Sequence, residues 1–180
     1  MILKLVPHSS PILRQKCDMF NYSNPQTDSI QLAKDLYETL MSTSYLGLSA
    51  PQVGIPLRVF ALRTNPGIVC FNPRVVDTSS EEIILDEMCM TFLHLAVPIK
   101  RPKKIKVRYF EPNGQAKTEV FDGMTARYFL HELDHLDGLL YTEKANKLHL
   151  ERAMRKKKAL DRKAKRNGNP ANLTWKVDNE

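Results

Sequence analysis

The sequence predicts an α+β domain with a mostly antiparallel sheet. Three observations carry that reading. The chain has 180 residues, about the size of one domain able to bury a core of its own. Its periodicities run helix, several strands, helix, helix, the segregated order of an α+β fold. Between two strand-like segments, Pro112-Asn113-Gly114 is a hairpin turn signal, which makes its flanking strands antiparallel.

Taken in order, Asn24, Pro25 and Asp28 offer helix-start chemistry. Leu32, Ala33, Leu36 and Leu40 then recur at helical spacing, which places a helix over about 27–43, ending before Gly47. Strand texture follows at Leu57 to Leu62, Ile68 to Phe71, Glu82 to Leu85 and Lys104 to Phe110. The last of these alternates Ile105, Val107 and Tyr109 with Lys104, Lys106 and Arg108. The hairpin signal leads into a further strand at Lys117 to Phe121. Helical spacing returns from Thr125 to Leu136, where Asp137 and Gly138 stop it. A last helix is expected from about Asn146 to Lys165, closed by Asn167 to Pro170, and residues 171–180 show no periodicity.

An apolar share of 42% is ordinary for a globular chain, and no apolar run approaches the roughly 20 residues a membrane-spanning helix needs. Met1 to Pro7 is too short and too poorly flanked for a signal peptide, so a cytoplasmic location is expected. Cys17, Cys70 and Cys89 are odd in number and widely spaced, unlike a secreted disulfide framework. The net charge is +7, and much of the excess falls after Leu148.

His131-Glu132-Leu133-Asp134-His135 sets two imidazoles four residues apart, one turn along the same helical face, where both can reach one metal ion while Glu132 stands beside it. Water on such an ion has its pKa lowered to roughly 7, and a nearby carboxylate can shuttle its proton. A catalytic metal usually has three protein ligands and an open position. Cys89, in Asp86-Glu87-Met88-Cys89-Met90-Thr91 at the end of a predicted strand, is the candidate third ligand, while Cys17 and Cys70 read as small buried apolar residues. Gly47-Leu48-Ser49-Ala50-Pro51-Gln52-Val53-Gly54 reads as a loop of small residues that lets a substrate backbone approach. Gln52 in it can donate a hydrogen bond to a carbonyl oxygen gaining charge. On these residues alone a metallopeptidase and a basic RNA-binding module with a structural metal site stay open as readings. The first has no need of the Gln52 loop and the Cys89 strand end together, and the second usually has a fourth protein ligand.

In this order the three elements resemble the three motifs of the peptide deformylase family: a glycine-containing loop ending in glutamine, a Glu-x-Cys segment and a His-Glu-x-Asp-His helix. The likeness spans about Met1 to Lys165. It implies hydrolysis of the N-formyl group from N-formylmethionyl nascent peptides, with release of formate. It also implies a fold in which sheets wrap a central metal-binding helix, with an N-terminal helix and a basic C-terminal helix. Carried over by residue, Cys89, His131 and His135 are similar to the metal ligands, and Glu132 to the general base and acid. Gln52 and the backbone N–H of Met90 match the oxyanion stabilisers, and Leu46, Gly47, Met88 and Tyr128 the substrate groove. Glu87, Arg101 and Asp134 are expected to be linked behind the ligands. The resemblance implies Fe2+, replaceable by Ni2+, Co2+ or Zn2+, and a monomer. The chain departs from the family pattern at Tyr45, where a glycine is usual, at Ser49 for alanine, and at Met88 for glycine. These departures bear on substrate fit and rate more than on metal binding.

Beyond the family likeness, Arg152 to Arg166 holds nine Lys or Arg against one acid, Asp161, while Leu148, Leu150, Met154 and Leu160 can pack the helix on the domain. A field of that density attracts polyanions. The expected organisation is a catalytic domain over 1–147, a basic helix over 148–166 that contacts the ribosome or rRNA, and a tail over 167–180.

Overall fold

The computed structural model describes residues 1–166. The expected helix closure at Asn167 to Pro170 and the tail lie outside the described residues. The order is α1 (Ser29–Met41), β1 (Gly47–Ser49), β2 (Val59–Leu62), β3 (Ile68–Thr78), β4 (Glu82–Cys89), β5 (Phe92–Pro102), β6 (Lys104–Phe110), β7 (Ala116–Asp122), α2 (Gly123–Leu136) and α3 (Lys147–Arg166). Every pairing between these strands is antiparallel. One sheet runs β1-β2-β3-β6-β7 and a second is the β4-β5 hairpin. The α+β expectation holds. Among the described residues no helix is long and apolar enough to cross a membrane.

Period-two alternation in β2 explains how one short strand supports both halves of the molecule. Val59 and Ala61 face the core that α1 covers with Leu32, Leu36 and Leu40. Phe60 and Leu62 face the opposite way, into the core of α2 with Ala126, Phe129 and Leu136. Phe60 meets Phe129 edge to face, with centroids 5.0 Å apart. A third cluster joins Cys89, Leu95, Val97, Ile99 and Tyr141, and Leu150 and Ala153 of α3 pack against it. Helix α1 is capped by Asp28, whose carboxylate accepts from the Gln31 N–H.

Sequence periodicity missed three features. Strand β5 was not anticipated: Leu95, Val97 and Ile99 do alternate inward, but Pro98, Pro102 and the buried Arg101 break the apolar pattern. Gly47–Ser49, read as loop, pairs with β2 as a three-residue edge strand, and Ala50–Val53 forms a 3-10 turn. Strand β3 continues past Pro73 to Thr78 through register shifts that absorb the proline.

Gly138 ends α2 at φ +72°, and a Cβ there would lie 2.8 Å from the carbonyl carbon of Arg14. Left-handed backbone costs an L residue roughly 1–2 kcal/mol before any clash. Gly138→Ala should therefore lower stability by about 2 kcal/mol or more, and the melting temperature by roughly 4–8 °C, in a thermal unfolding experiment. An unchanged melting temperature would contradict this placement.

Candidate metal centre

Strand β4 and helix α2 bring the chemistry together. Along the end of β4, Glu87 and Cys89 alternate inward while Met88 faces out, 61% exposed. A register shift between Glu87 and Cys89 re-aims this end of the strand. On α2, His131, Glu132 and His135 are all buried. One ligand atom each from Cys89, His131 and His135 lie within 4.8 Å of one another, and Cys89 Sγ is 3.2 Å from His135 Nε2. Bonds of about 2.0–2.3 Å to a shared first-row ion require that closeness. His131 Nδ1 sits 3.0 Å from Glu87 Oε2, which leaves Nε2 for the cluster.

The electrostatics suit a cation. Burial would raise the Cys89 thiol, but the imidazoles of His135 and His131 outweigh it and hold the thiol well below its ordinary value, as the thiolate a metal needs. Burial would likewise raise Glu87, yet hydrogen bonds from Arg101 and His131 bring it to about 2, so it is an anion behind His131. These residues fit a borderline divalent metal: one thiolate, two imidazoles, and no fourth protein donor in the cluster among the described residues.

Glu132 has the features of a proton carrier. Its Oε2 is buried without a hydrogen-bond partner among the described residues, and burial pushes its carboxyl above the ordinary range, against the pull of both histidines. Gly47 makes room for it: a Cβ on Gly47 would stand 2.3 Å from Glu132 Oε1. Gly47→Ala should push the carboxylate aside and reduce turnover by about a hundredfold, the scale that follows a misplacement of about 1 Å. Steady-state rates beside an unchanged unfolding curve would check this, and full activity would show that Glu132 has no fixed position to lose.

Gln52 is oriented by its neighbours. Its Oε1 accepts from the Ser49 backbone N–H at 2.8 Å and the Ser49 hydroxyl at 2.9 Å, closing a capping box. Its Nε2 therefore points the other way, 3.4 Å from Cys89 Sγ and 3.0 Å from Thr91 Oγ1. Ser49, one of the departures from the family pattern, thus contributes a hydroxyl donor that an alanine would lack.

Behind the ligands lies a buried charge network. Arg101 donates from Nε and Nη2 to Glu87, at 2.7 and 2.8 Å, and from Nη1 to Asp134 at 2.7 Å. Lys144 reaches the other oxygen of Asp134 at 2.8 Å. Arg127, not singled out from the sequence, donates to Glu87 Oε1 at 2.7 Å and to the carbonyls of Ile99 and Ile83 at 2.9 and 2.8 Å. Its signal was available: Arg127 lies four residues before His131, on the same helical face. Tyr141, also missed, stacks its ring 5.2 Å from that of His131 and donates to the Leu95 carbonyl at 2.7 Å.

One cavity, of about 110 Å³, is lined by Cys89, His131, Glu132, Gln52 and Met90, together with the groove residues Leu46, Gly47, Met88 and Tyr128. The structure thus assembles in one place the ligands, proton carrier, amide donor and groove residues named from the sequence. Glu87, Arg101 and Asp134 form the layer behind.

Comparison with known proteins agrees with this geometry. The sequence model for polypeptide deformylase matches residues 2–151. A peptide deformylase of Pseudothermotoga lettingae is 34% identical over 143 residues, covering 79% of this chain and 82% of the relative. The crystal structure of a peptide deformylase from Synechococcus elongatus in complex with actinonin superposes with a TM-score of 0.79 at 30% identity, covering 87% of this chain and 86% of that one. A Met-Ala-Ser-bound class I type b peptide deformylase from Acinetobacter baumannii gives a TM-score of 0.74 at 28% identity, covering 80% of this chain and 98% of the other. With a buried Cys-His-His cluster, a free carboxylate beside it and this extent of similarity, the chain belongs to the polypeptide deformylase family.

Proposed function

We propose that this chain is a metal-dependent amidohydrolase that removes the N-formyl group from N-formylmethionyl peptides, leaving formate and a free amino terminus. The observation that carries the reading is the buried, unpartnered Glu132 oxygen beside the Cys89, His131 and His135 cluster, in the same cavity as the Gln52 amide. The relative that holds Met-Ala-Ser supports a peptide with an N-terminal methionine as the occupant.

Cys89, His131 and His135 would hold the cation, which when bound supplies Lewis acidity and hydroxide at neutral pH. Glu132 takes a proton from the attacking water and returns it to the departing amine nitrogen, a transfer its raised pKa favours. Gln52 donates from Nε2, and Met90 from its backbone N–H, to the formyl oxygen as it gains negative charge, each worth roughly 2.7–4 kcal/mol in a dry site. Glu87 holds His131 by Nδ1, and Arg101, Arg127 and Asp134 hold Glu87 and the helix in place.

The same reading assigns Fe2+ as the native metal, with Ni2+, Co2+ or Zn2+ able to replace it, because a thiolate with two imidazoles accepts each of them. It takes 1–147 as the catalytic domain of a cytoplasmic monomer and 148–166 as an appended basic helix. Leu150 and Ala153 of α3 pack on the domain while Arg152, Arg155, Lys156 and Arg162 face solvent, the arrangement of a helix that contacts rRNA through its phosphates.

Metal analysis beside formate release tests the proposal. Anaerobically prepared protein should hold one ferrous ion per chain and release formate from formyl-Met-Ala-Ser, and removal of the metal should abolish release until Fe2+ is restored. Metal-loaded protein with no formate release would overturn it.

A further inference from the structure

A second cavity adjoins the first. It is larger, about 430 Å³, and is lined by Leu62, Phe121 and Met124, with Thr64 and Thr125 among its polar residues. Leu46 and Tyr128 line both cavities. Leu46 comes from the chain entering β1 and Tyr128 from α2, so the partition is made by two side chains on different elements.

The helix fixes where that partition stands. Tyr128 precedes His131 by three residues and Glu132 by four, so it lies one turn from the catalytic side chains on the same face. Met124, in the second cavity, lies a further turn back along that face. The face of α2 therefore passes from the larger cavity, across the Tyr128 ring, to the metal ligands. The Tyr128 ring is partly buried against the core of α2, and its hydroxyl makes no hydrogen bond within the described residues. The ring's bulk, rather than its hydroxyl, is what divides the space.

We propose that Tyr128 sets which N-terminal side chain the enzyme accepts: with Leu46 it closes the catalytic cavity against the apolar space behind, and so excludes side chains larger than methionine. The inference rests on the deformylase reading for the identity of the substrate, and on the shared wall alone for the role of Tyr128. Shortening the ring joins the two cavities and opens a path for an aromatic side chain between Leu62, Phe121 and Met124. Leu46 remains as the other half of the wall.

The test compares formyl-Met-Ala-Ser with formyl-Phe-Ala-Ser on wild-type holoenzyme and on the Tyr128→Ala, Tyr128→Leu and Tyr128→Phe variants. Calorimetric binding of unformylated Met-Ala-Ser and Phe-Ala-Ser to the same four proteins is measured in parallel. Tyr128→Ala should shift the kcat/KM ratio and the binding ratio toward the phenylalanine peptide by about tenfold or more, the scale on which pocket size discriminates apolar side chains. Tyr128→Leu should shift both less, and Tyr128→Phe, which keeps the ring, should leave them within about twofold of wild type. Ratios unmoved in both the Ala and Leu variants would overturn the role of Tyr128. A wild-type protein that released no formate from either peptide would overturn the deformylase reading instead, while the binding ratios still decide whether Tyr128 is the wall.

Discussion

Replacing Glu132 with glutamine is expected to slow formate release by about 10²- to 10⁴-fold, the range that proton transfer by a positioned side chain supplies. Glutamine matches glutamate in shape, so the space opposite Gly47 stays filled and the fold should persist. The substituted amide cannot take a proton from water or give one to the amine. Because Glu132 Oε2 has no partner among the described residues, the loss is chemical rather than structural. Metal content and unfolding temperature should match the wild type while kcat falls. A variant with more than a tenth of wild-type kcat would remove Glu132 from the mechanism.

Glu87→Ala should produce the largest loss of stability. The carboxylate is 4% exposed and holds Arg101, Arg127 and His131 at once. Arg101 keeps Asp134 after the substitution, but Arg127 keeps only backbone carbonyls. Breaking a buried ion pair by removing one partner costs about 3–5 kcal/mol, because a desolvated charge is left behind. For a chain of this size that is a fall of roughly 6–20 °C in melting temperature. Metal affinity should also drop by about 10- to 100-fold, since His131 loses the group that fixes its ring. Chemical unfolding and metal competition measure the two effects separately. Wild-type values in both would mean that the network is incidental to the site.

The legibility of this protein was uneven, and for physical reasons. Two histidines one helical turn apart have few other uses so close to a glutamate, and the helix carrying them is bounded by Asp122 and Gly138, both readable stops. Cys89 was legible through its neighbours Glu87 and Met90 rather than through any property of a cysteine. Arg127 was not, because a charged residue on an amphipathic helix reads as solvent-facing. Its burial depends on Glu87, forty residues away in sequence, and on carbonyls of two strands. Strand β5 escaped for a related reason: its inward positions include Arg101, whose partners are long-range, and prolines interrupt its pattern. The role of Ser49 in orienting Gln52 needs a backbone turn that only the folded chain displays.

One measurement goes most directly to the claim that this site hydrolyses a formyl amide. Formyl-Met-Ala-Ser is incubated with ferrous holoenzyme and the products are read by mass spectrometry. The account predicts intact Met-Ala-Ser, lighter than the substrate by the formyl group, together with an equal amount of formate and no shorter peptide. Fragments that retain the formyl group, from cleavage between methionine and alanine or between alanine and serine, would contradict it and mark the chain as a peptidase.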